Sequence, residues 1–573
     1  MKNNYLFLFT LGPVQTFIAQ ARKTRDLYAG SQLLSDLCRV GIDEIKRHQG
    51  KIIFPHEGNK FLPNRFLAKI AEQPTSFKEI GEDVESKVRT VFKEKAEYIL
   101  QQYASSRKPL GFDEQIENHL DIHWIFHPIE ESYGDAYREI ERLLGAIKNI
   151  RAFKQLNGGN GECGRKCSLD GERNALFYPC DSQLQEGVIK LKKLNSNEAL
   201  SAVSFVKRFY YSTKERFAST TTVALMDYLE KLDDTAKSNQ ELRKLLDKEL
   251  LERFNKKSLK ELETGIFYKE NLTSKYFEEH DLGDYDKDNN IQKVRKSVAE
   301  LDKFAKKTSY YAVLVFDGDE MGKWLSGEFI KDQNQLQEFH ETLSERLGQF
   351  AKTAAKQLVY PCGQTVYAGG DDFLGFVNLN YLFEVMMSLR QGFDCLVNQS
   401  LKQFCRNNKE LTFSAGVLIA HYKMPLHIVL QEARRLEKVA KEEGGRDAFA
   451  MGVMKRSGES HQICYKWRDG EEWNVENIRF IIEQLQENFS DTFIRSLNVE
   501  LPLLINEQGW IENEEMVKVE MKRLIVRSGQ EESMKVNIDK LYDGLSKLFE
   551  TDNKTVNFLG ALNIINFLRK QVG

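Results

Sequence analysis

An apolar run over residues 310–316 stops at Asp317-Gly318, and after one helical stretch a second strand pair turns around Gly369-Gly370-Asp371-Asp372. No other feature narrows the fold as much. The run is aromatic and β-branched, which suits a buried strand rather than a helix. Residues 336–358 have helical spacing. Residues 365–368 and 373–377 flank the glycine turn as two short strands, a hairpin by its turn chemistry. A helix over 382–404, a strand over 411–420, a helix over 425–441 and a strand over 448–453 follow. The order β-α-β-β-α-β predicts a ferredoxin-like sheet with helices on one side. Its first strand is central and the hairpin pairs with it, so Asp317 meets Asp371 and Asp372.

Three carboxylates gathered there are too close to remain ionised without a cation. Hard divalent ions prefer oxygen ligands and keep positions open for phosphates, so Mg²⁺ or Mn²⁺ is the expected occupant. Two such ions per palm can activate a 3′-hydroxyl and stabilise leaving pyrophosphate. Gly369 and Gly370 let backbone amides approach a phosphate. Ser414, opening Ser414-Ala415-Gly416-Val417 on the strand over 411–420, and Lys441, just before Gly444-Gly445-Arg446, complete the expected nucleotide set. Each piece has an ordinary reading: a Gly-Gly-Asp-Asp turn, or an Asp capping a helix. The set together points to a metal-dependent nucleotidyl transferase acting on ATP.

The other residues divide around this block. At 573 residues the chain exceeds one core. We read an α+β domain over 1–134, a helical domain with a cysteine cluster over 135–305, the palm over 306–456 and a helical domain over 457–573. In the first, 5–11 and 51–55 are strands, 14–48 is one long helix, helical stretches run to 106, and a strand lies near 122–129. A helix over 135–156 ends at a glycine-rich breaker. Net charge is −3 with 29% charged residues, which argues against a free-standing nucleic-acid binder. No run approaches the roughly 18 apolar residues of a bilayer span, and 5–9 is too short for a signal peptide. A cytoplasmic location is expected.

The segment Phe316-Asp317-Gly318-Asp319-Glu320-Met321-Gly322-Lys323-Trp324, the run Tyr367-Ala368-Gly369-Gly370-Asp371-Asp372 and the Ser-Ala-Gly-Val strand resemble the large subunit of type III-B, Cmr-type, CRISPR effector complexes. Its catalytic domain is related to GGDEF cyclases. Gly12-Pro13-Val14-Gln15, Ala21-Arg22, Asp26-Leu27, Gly30-Ser31 and Pro63-Asn64-Arg65-Phe66 fit the same family. The resemblance implies two ferredoxin-like palm domains facing each other, a small zinc-binding insert and a helical C-terminal domain. It further implies synthesis of cyclic oligoadenylate from ATP when target RNA binds. Partners would be CRISPR RNA, target RNA and the other Cmr-type subunits, with no membrane. Asp317 and Asp371 would be the principal metal ligands, with Asp372 beside them.

The sequence departs from that pattern twice. Its palm-like strand starts at Tyr5 and leaves no room for the HD nuclease domain of many relatives; His280-Asp281 spells the dipeptide in an acidic loop and reads as surface. DNA cleavage is not expected. At the zinc insert, Cys163, Cys167 and Cys180 offer three thiolates, and Asp170 stands where a further cysteine is expected. A carboxylate can complete a tetrahedral structural Zn²⁺ site. The remaining cysteines, Cys38, Cys362, Cys395, Cys405 and Cys464, read as scattered buried thiols.

Other signals are weaker. Residues 318–324 have one residue too few for a phosphate loop. His119, His123 and His127 fall at or near a strand and read as packing. Lys190 to Lys193 and Lys207-Arg208-Phe209-Tyr210-Tyr211 mix charge and aromatics as RNA contacts can, but read as a solvated helix face. Three rivals stand beside the cyclase: the same chemistry joining AMP to S-adenosylmethionine, a non-catalytic scaffold subunit, and a stand-alone GGDEF-type cyclase. The last is weakened because Asp372 replaces the motif's Glu.

Overall fold

The computed structural model describes residues 3–59, 61–104, 108–150, 164–180, 189–191, 194–195, 197–210, 217–280, 282–283, 290–487, 489, 492–504, 514–528, 535–550 and 555–572. β1 (Asn4–Gly12) leads through α1 (Gln15–Ala19) and α2 (Thr24–Arg47) to β2 (Lys51–Phe54) and β3 (Arg65–Ala71). α3 (Phe77–Ala104) and α4 (Phe112–Glu117) return the chain to β4 (Asp121–Pro128). The strands lie in the order β2-β3-β1-β4, all antiparallel. β1 is central because it is apolar on both faces. Phe7 and Phe9 join the core with α2 and α3, while Leu6 and Leu8 pack with α5 (Tyr133–Asn149).

Three expectations change in this half. The long helix over 14–48 is two pieces, since Gln20 leaves helical geometry at ψ 71° and Asp26 caps the restart by accepting the N–H groups of Arg22 and Lys23. Residues 65–71, read within a helical stretch, form β3, because pairing with β1 overrides a weak local signal. The helix expected over 135–156 spans Tyr133–Asn149, opened by the Ser132 cap. It covers the first sheet, so the first packed unit runs past residue 134.

β5 (Phe177–Pro179) and β6 (Ile189–Leu191) pair in parallel. α6 (Ala202–Tyr210), α7 (Thr220–Ser238), α8 (Gln240–Leu246), α9 (Ser274–Glu279) and α10 (Asn290–Leu301) lead to the second sheet. There β7 (Tyr310–Gly318) is followed by α11 (Met321–Leu325), α12 (Leu336–Gln357), β8 (Gly363–Ala368), β9 (Asp372–Val377), α13 (Leu382–Phe393) and α14 (Gln399–Leu401). β10 (Phe413–His421), α15 (Leu426–Glu442), β11 (Ala448–Met454) and β12 (Ser460–Lys466) complete it.

The strand order is β12-β11-β10-β7-β9-β8. Its β10-β7-β9-β8 portion repeats the ground plan of the first sheet: fourth strand, first, third, second. The expected β-α-β-β-α-β chain order is present, but helices cover both faces. Ala312, Leu314 and Phe316 join the core with α12 and α13, while Tyr311, Val313 and Val315 join the core with α7 and α15. A run buried on both sides was the signal, since a one-sided sheet would alternate. β12 also extends the sheet beyond the boundary expected at 456. After β13 (Arg468–Asp469) and β14 (Glu472–Trp473), the expected helical region comprises α16 (Asn474–Glu487), α17 (Thr492–Glu500), α18 (Glu514–Ser528), α19 (Lys535–Glu550) and α20 (Thr555–Gln571). Among the described residues no helix is long and apolar enough to cross a membrane.

A candidate nucleotide and metal site between two sheets

Asp317 is the penultimate residue of β7, opposite Asp372 on β9 and Ser414 on β10. Directly opposed residues of an antiparallel pair hold their Cβ atoms about 4.5–5.5 Å apart. Gly318 donates its N–H to the Asp371 carbonyl at 2.9 Å, and a Cβ on Gly318 would lie 3.2 Å from Asp371 Cβ. The three acids therefore share one strand-end corner. The turn requires its glycine at 370, where φ is +113°.

The walls of the corner desolvate Asp371 and Asp317 adds repulsion, which together push its carboxyl up to about 6. Desolvation, then Asp317 and Asp371, push Asp372 up to about 8. Asp372 keeps exposed surface, and the crowding of the three like charges is what a cation would relieve. Lys441, at the end of α15, now supplies positive charge: its ammonium contacts Asp317 and donates to Glu437 at 2.9 Å. Partial desolvation opposes that charge, but the two acids outweigh it and raise the lysine's pKa.

The donor set is carboxylate oxygen, which suits a hard divalent cation. Among the described residues no three His, Cys, Asp or Glu side chains are gathered tightly enough to hold a metal as they stand. One Asp317 oxygen is held by the Lys441 ammonium instead. Ser414 must be reassigned. It is fully buried and its hydroxyl donates to Asp319 at 2.7 Å, so it braces the corner from behind instead of touching a nucleotide. Asp319, which sequence reasoning passed over, also accepts from the Thr412 hydroxyl at 2.7 Å and the Asp447 N–H at 3.0 Å. It thereby ties β7, β10 and the loop after α15 together. The Asp-Gly-Asp spacing was the available signal.

A cavity of about 560 Å³ opens from the acids towards the first sheet. Asp317, Gly369, Asp371 and Asp372 line one side, and Asn59, Asn64, Arg65, Tyr137 and Glu141 the other. Gly370, Ser414 and Lys441 stand outside its lining. Arg65 forms a fork with Glu141, at 2.7 and 3.4 Å. Sequence reasoning saw Arg65 only as part of a motif.

Elsewhere the expectations fare unevenly. Cys163 lies outside the described residues. Cys167 is buried and Cys180 exposed. Asp170 accepts from the N–H groups of Glu172 and Arg173 and from the hydroxyls of Ser201 and Ser204, so its oxygens already serve the loop. Lys207 and Arg208 are not a solvated face: they are 1% and 5% exposed, and Arg208 pairs with Asp26 at 2.5 Å and Glu198 at 3.0 Å. Lys190 sits exposed on β6, whereas Lys192, Lys193 and Tyr211 lie outside the described residues. His119 is buried against Phe17 and Phe92, the packing role expected of it. His280 is exposed beside Tyr276, and Asp281 lies outside the described residues.

The second sheet and its acid corner define a palm domain of nucleotidyltransferase-like fold. The family model "Cas10/Cmr2, second palm domain" matches residues 310–450, and "CRISPR-associated protein Cmr2, N-terminal" matches residues 6–125. The chain belongs to the Cas10/Cmr2 family and is a large subunit of the Cmr2 type. It is 24% identical to the CRISPR system Cmr subunit Cmr2 of Pyrococcus furiosus, across 96% of this chain and 72% of that protein. Its fold matches a chain of the type III-B Cmr-beta complex in the apo state with TM-score 0.68 at 14% identity, covering 99% of this chain and 82% of that one. A chain of the same complex bound to cognate target RNA matches with TM-score 0.68 at 13% identity, covering 99% and 83%.

Proposed function

We propose that this protein, within a type III-B RNA-guided complex, polymerises ATP into cyclic oligoadenylate when target RNA binds. The single observation that carries the reading is the corner of Asp317, Asp371 and Asp372 opening into a cavity that both sheets line. Asp317, Asp371 and Asp372 would hold two Mg²⁺ or Mn²⁺ ions, whose chemistry is to lower the pKa of an attacking 3′-hydroxyl and stabilise leaving pyrophosphate. The chain's own residues do the positioning. Gly369 lines the cavity without a side chain, leaving backbone within reach of phosphate. Lys441 can exchange Asp317 for a triphosphate oxygen, a transfer its flexible stem permits. Asp319 and Ser414 keep the strand ends in register. Two ferredoxin-like palms facing across one cavity would bind two nucleotides, one to attack and one to be attacked. Target RNA would act by shifting the population towards the competent arrangement.

The test is to incubate the assembled complex with target RNA, ATP and Mn²⁺, with and without S-adenosylmethionine, and analyse products by mass spectrometry. Cyclic oligoadenylate is expected from the wild type and none from Asp371→Ala, Asp372→Ala. Equal product from the double variant would overturn the assignment. An adduct formed only with S-adenosylmethionine would replace the product.

A further inference from the structure

The acids occupy one end of the cavity, and α12 supplies a different surface beside them. Leu343, Ser344 and Leu347 of α12 line this wall. It adjoins the turn directly, since a Cβ on Gly370 would lie 3.0 Å from Leu347 Cβ. One residue further along the helix is Gly348. Glycine in a helix interior costs about 1 kcal/mol relative to alanine, so its presence asks for a cause. A Cβ there would lie 2.2 Å from Asn59 Oδ1 and 2.7 Å from Asn59 Nδ2. The Asn59 amide rests on the bare Cα of Gly348.

Asn59 belongs to the first unit, on the loop between β2 and β3. Its backbone is fixed, as Arg39 donates to the Asn59 carbonyl at 2.7 Å and the Asn59 N–H donates to the His56 carbonyl at 3.2 Å. Its side chain is 5% exposed and lines the cavity, yet Oδ1 has no hydrogen-bond partner among the described residues. A buried amide oxygen without a partner is costly and uncommon. The oxygen itself is closed off against Gly348 while the side chain as a whole lines the cavity, so a turn of the amide about χ2 is what would offer it to something entering there.

We infer that Asn59 is a specificity-determining residue that reads the polar edge of a purine base laid along the Leu343–Leu347 wall. This rests on the function proposed above and adds the residue that selects the base. A largely apolar wall with an amide beside it matches a heterocycle that has flat faces and a polar rim. A carboxamide can accept from an exocyclic amino group while donating to the adjacent ring nitrogen, the pairing that makes Asn a reader of adenine. The base then lies on the wall that touches Gly370, beside the corner that holds its phosphates. Gly348 makes room for the amide.

The test is a cycle between side chain and ligand, read by equilibrium binding to the assembled complex with Mg²⁺, so that turnover is not required. The ligands are ATP and purine riboside triphosphate, which lacks the 6-amino group. Wild type should bind ATP about fivefold more tightly, the worth of one hydrogen bond. In Asn59→Ala the two ligands should bind alike. Gly348→Ala, which helix propensity favours but whose Cβ displaces the amide, should erase the same preference, with both variants checked by thermal melting. A preference that survives in both variants overturns the role of Asn59. Equal binding of both ligands by the wild type overturns base reading at this wall and leaves the catalytic reading standing. Failure of the wild type to bind either ligand overturns both.

Discussion

Asp317 and Asp319 stand two residues apart and do opposite things: the first faces the cavity, the second is 3% exposed and accepts three hydrogen bonds. Residues that orient a metal-binding group without touching the metal commonly matter by about 10–100-fold. Asp319→Asn should lower the turnover number by about that factor while changing the KM for ATP less, as steady-state kinetics would show; unchanged turnover would reduce Asp319 to a packing residue. The meeting of the three acids was legible in the sequence because their motif is local, a strand end and a hairpin turn. Ser414 and Asp319 were not, because the burial of both depends on the pairing of β7 with β10. Lys441 was legible as a reach back from the end of α15, but its present partner, Asp317, was not.

Between elements, the joint of α2 and α6 rests on a buried ionic cluster. Asp26, 0% exposed, faces Arg208, which also holds Glu198. Removing one partner of such a cluster strands the other charge and costs about 3–5 kcal/mol. Asp26→Ala should therefore lower unfolding stability by that amount in chemical denaturation, with part of the loss from the uncapped start of α2. A loss under about 1 kcal/mol, typical of a surface pair, would contradict the cluster's burial. This cluster explains why the Lys207-Arg208 stretch misled: charge in a sequence carries no label for burial, and the partners lie on α2, far away in sequence. β3 was hidden for a similar reason, since Arg65 and Lys69 interrupt its apolar residues and only pairing with β1 and β2 makes it a strand. The palm strands were readable because long apolar runs leave little choice.

At the scale of the molecule, the two sheets meet through His340 of α12. Its Nε2 contacts the Leu325 carbonyl at 2.8 Å and so carries the proton, leaving Nδ1 to accept from the Tyr133 hydroxyl at 2.7 Å. Burial, aided by Arg65, outweighs the Leu325 carbonyl and depresses its pKa from 6.5 to about 4. The unfolded chain therefore takes up this proton first as pH falls. The contribution is nil above about pH 6.5 and becomes a growing destabilisation down to about pH 4, reaching about 3 kcal/mol. Denaturation measured against pH should show that slope, and His340→Gln should flatten it; an unchanged slope in the variant would place the proton uptake elsewhere. The cavity lies at this same junction, and the proposed chemistry requires its acids to act as one cation site. The direct measurement is Mn²⁺ binding, by electron paramagnetic resonance, in the assembled complex with a non-hydrolysable ATP analogue. About two ions per chain are expected in the wild type, and their loss in Asp371→Ala, Asp372→Ala. The same Mn²⁺ uptake in both proteins would contradict that requirement.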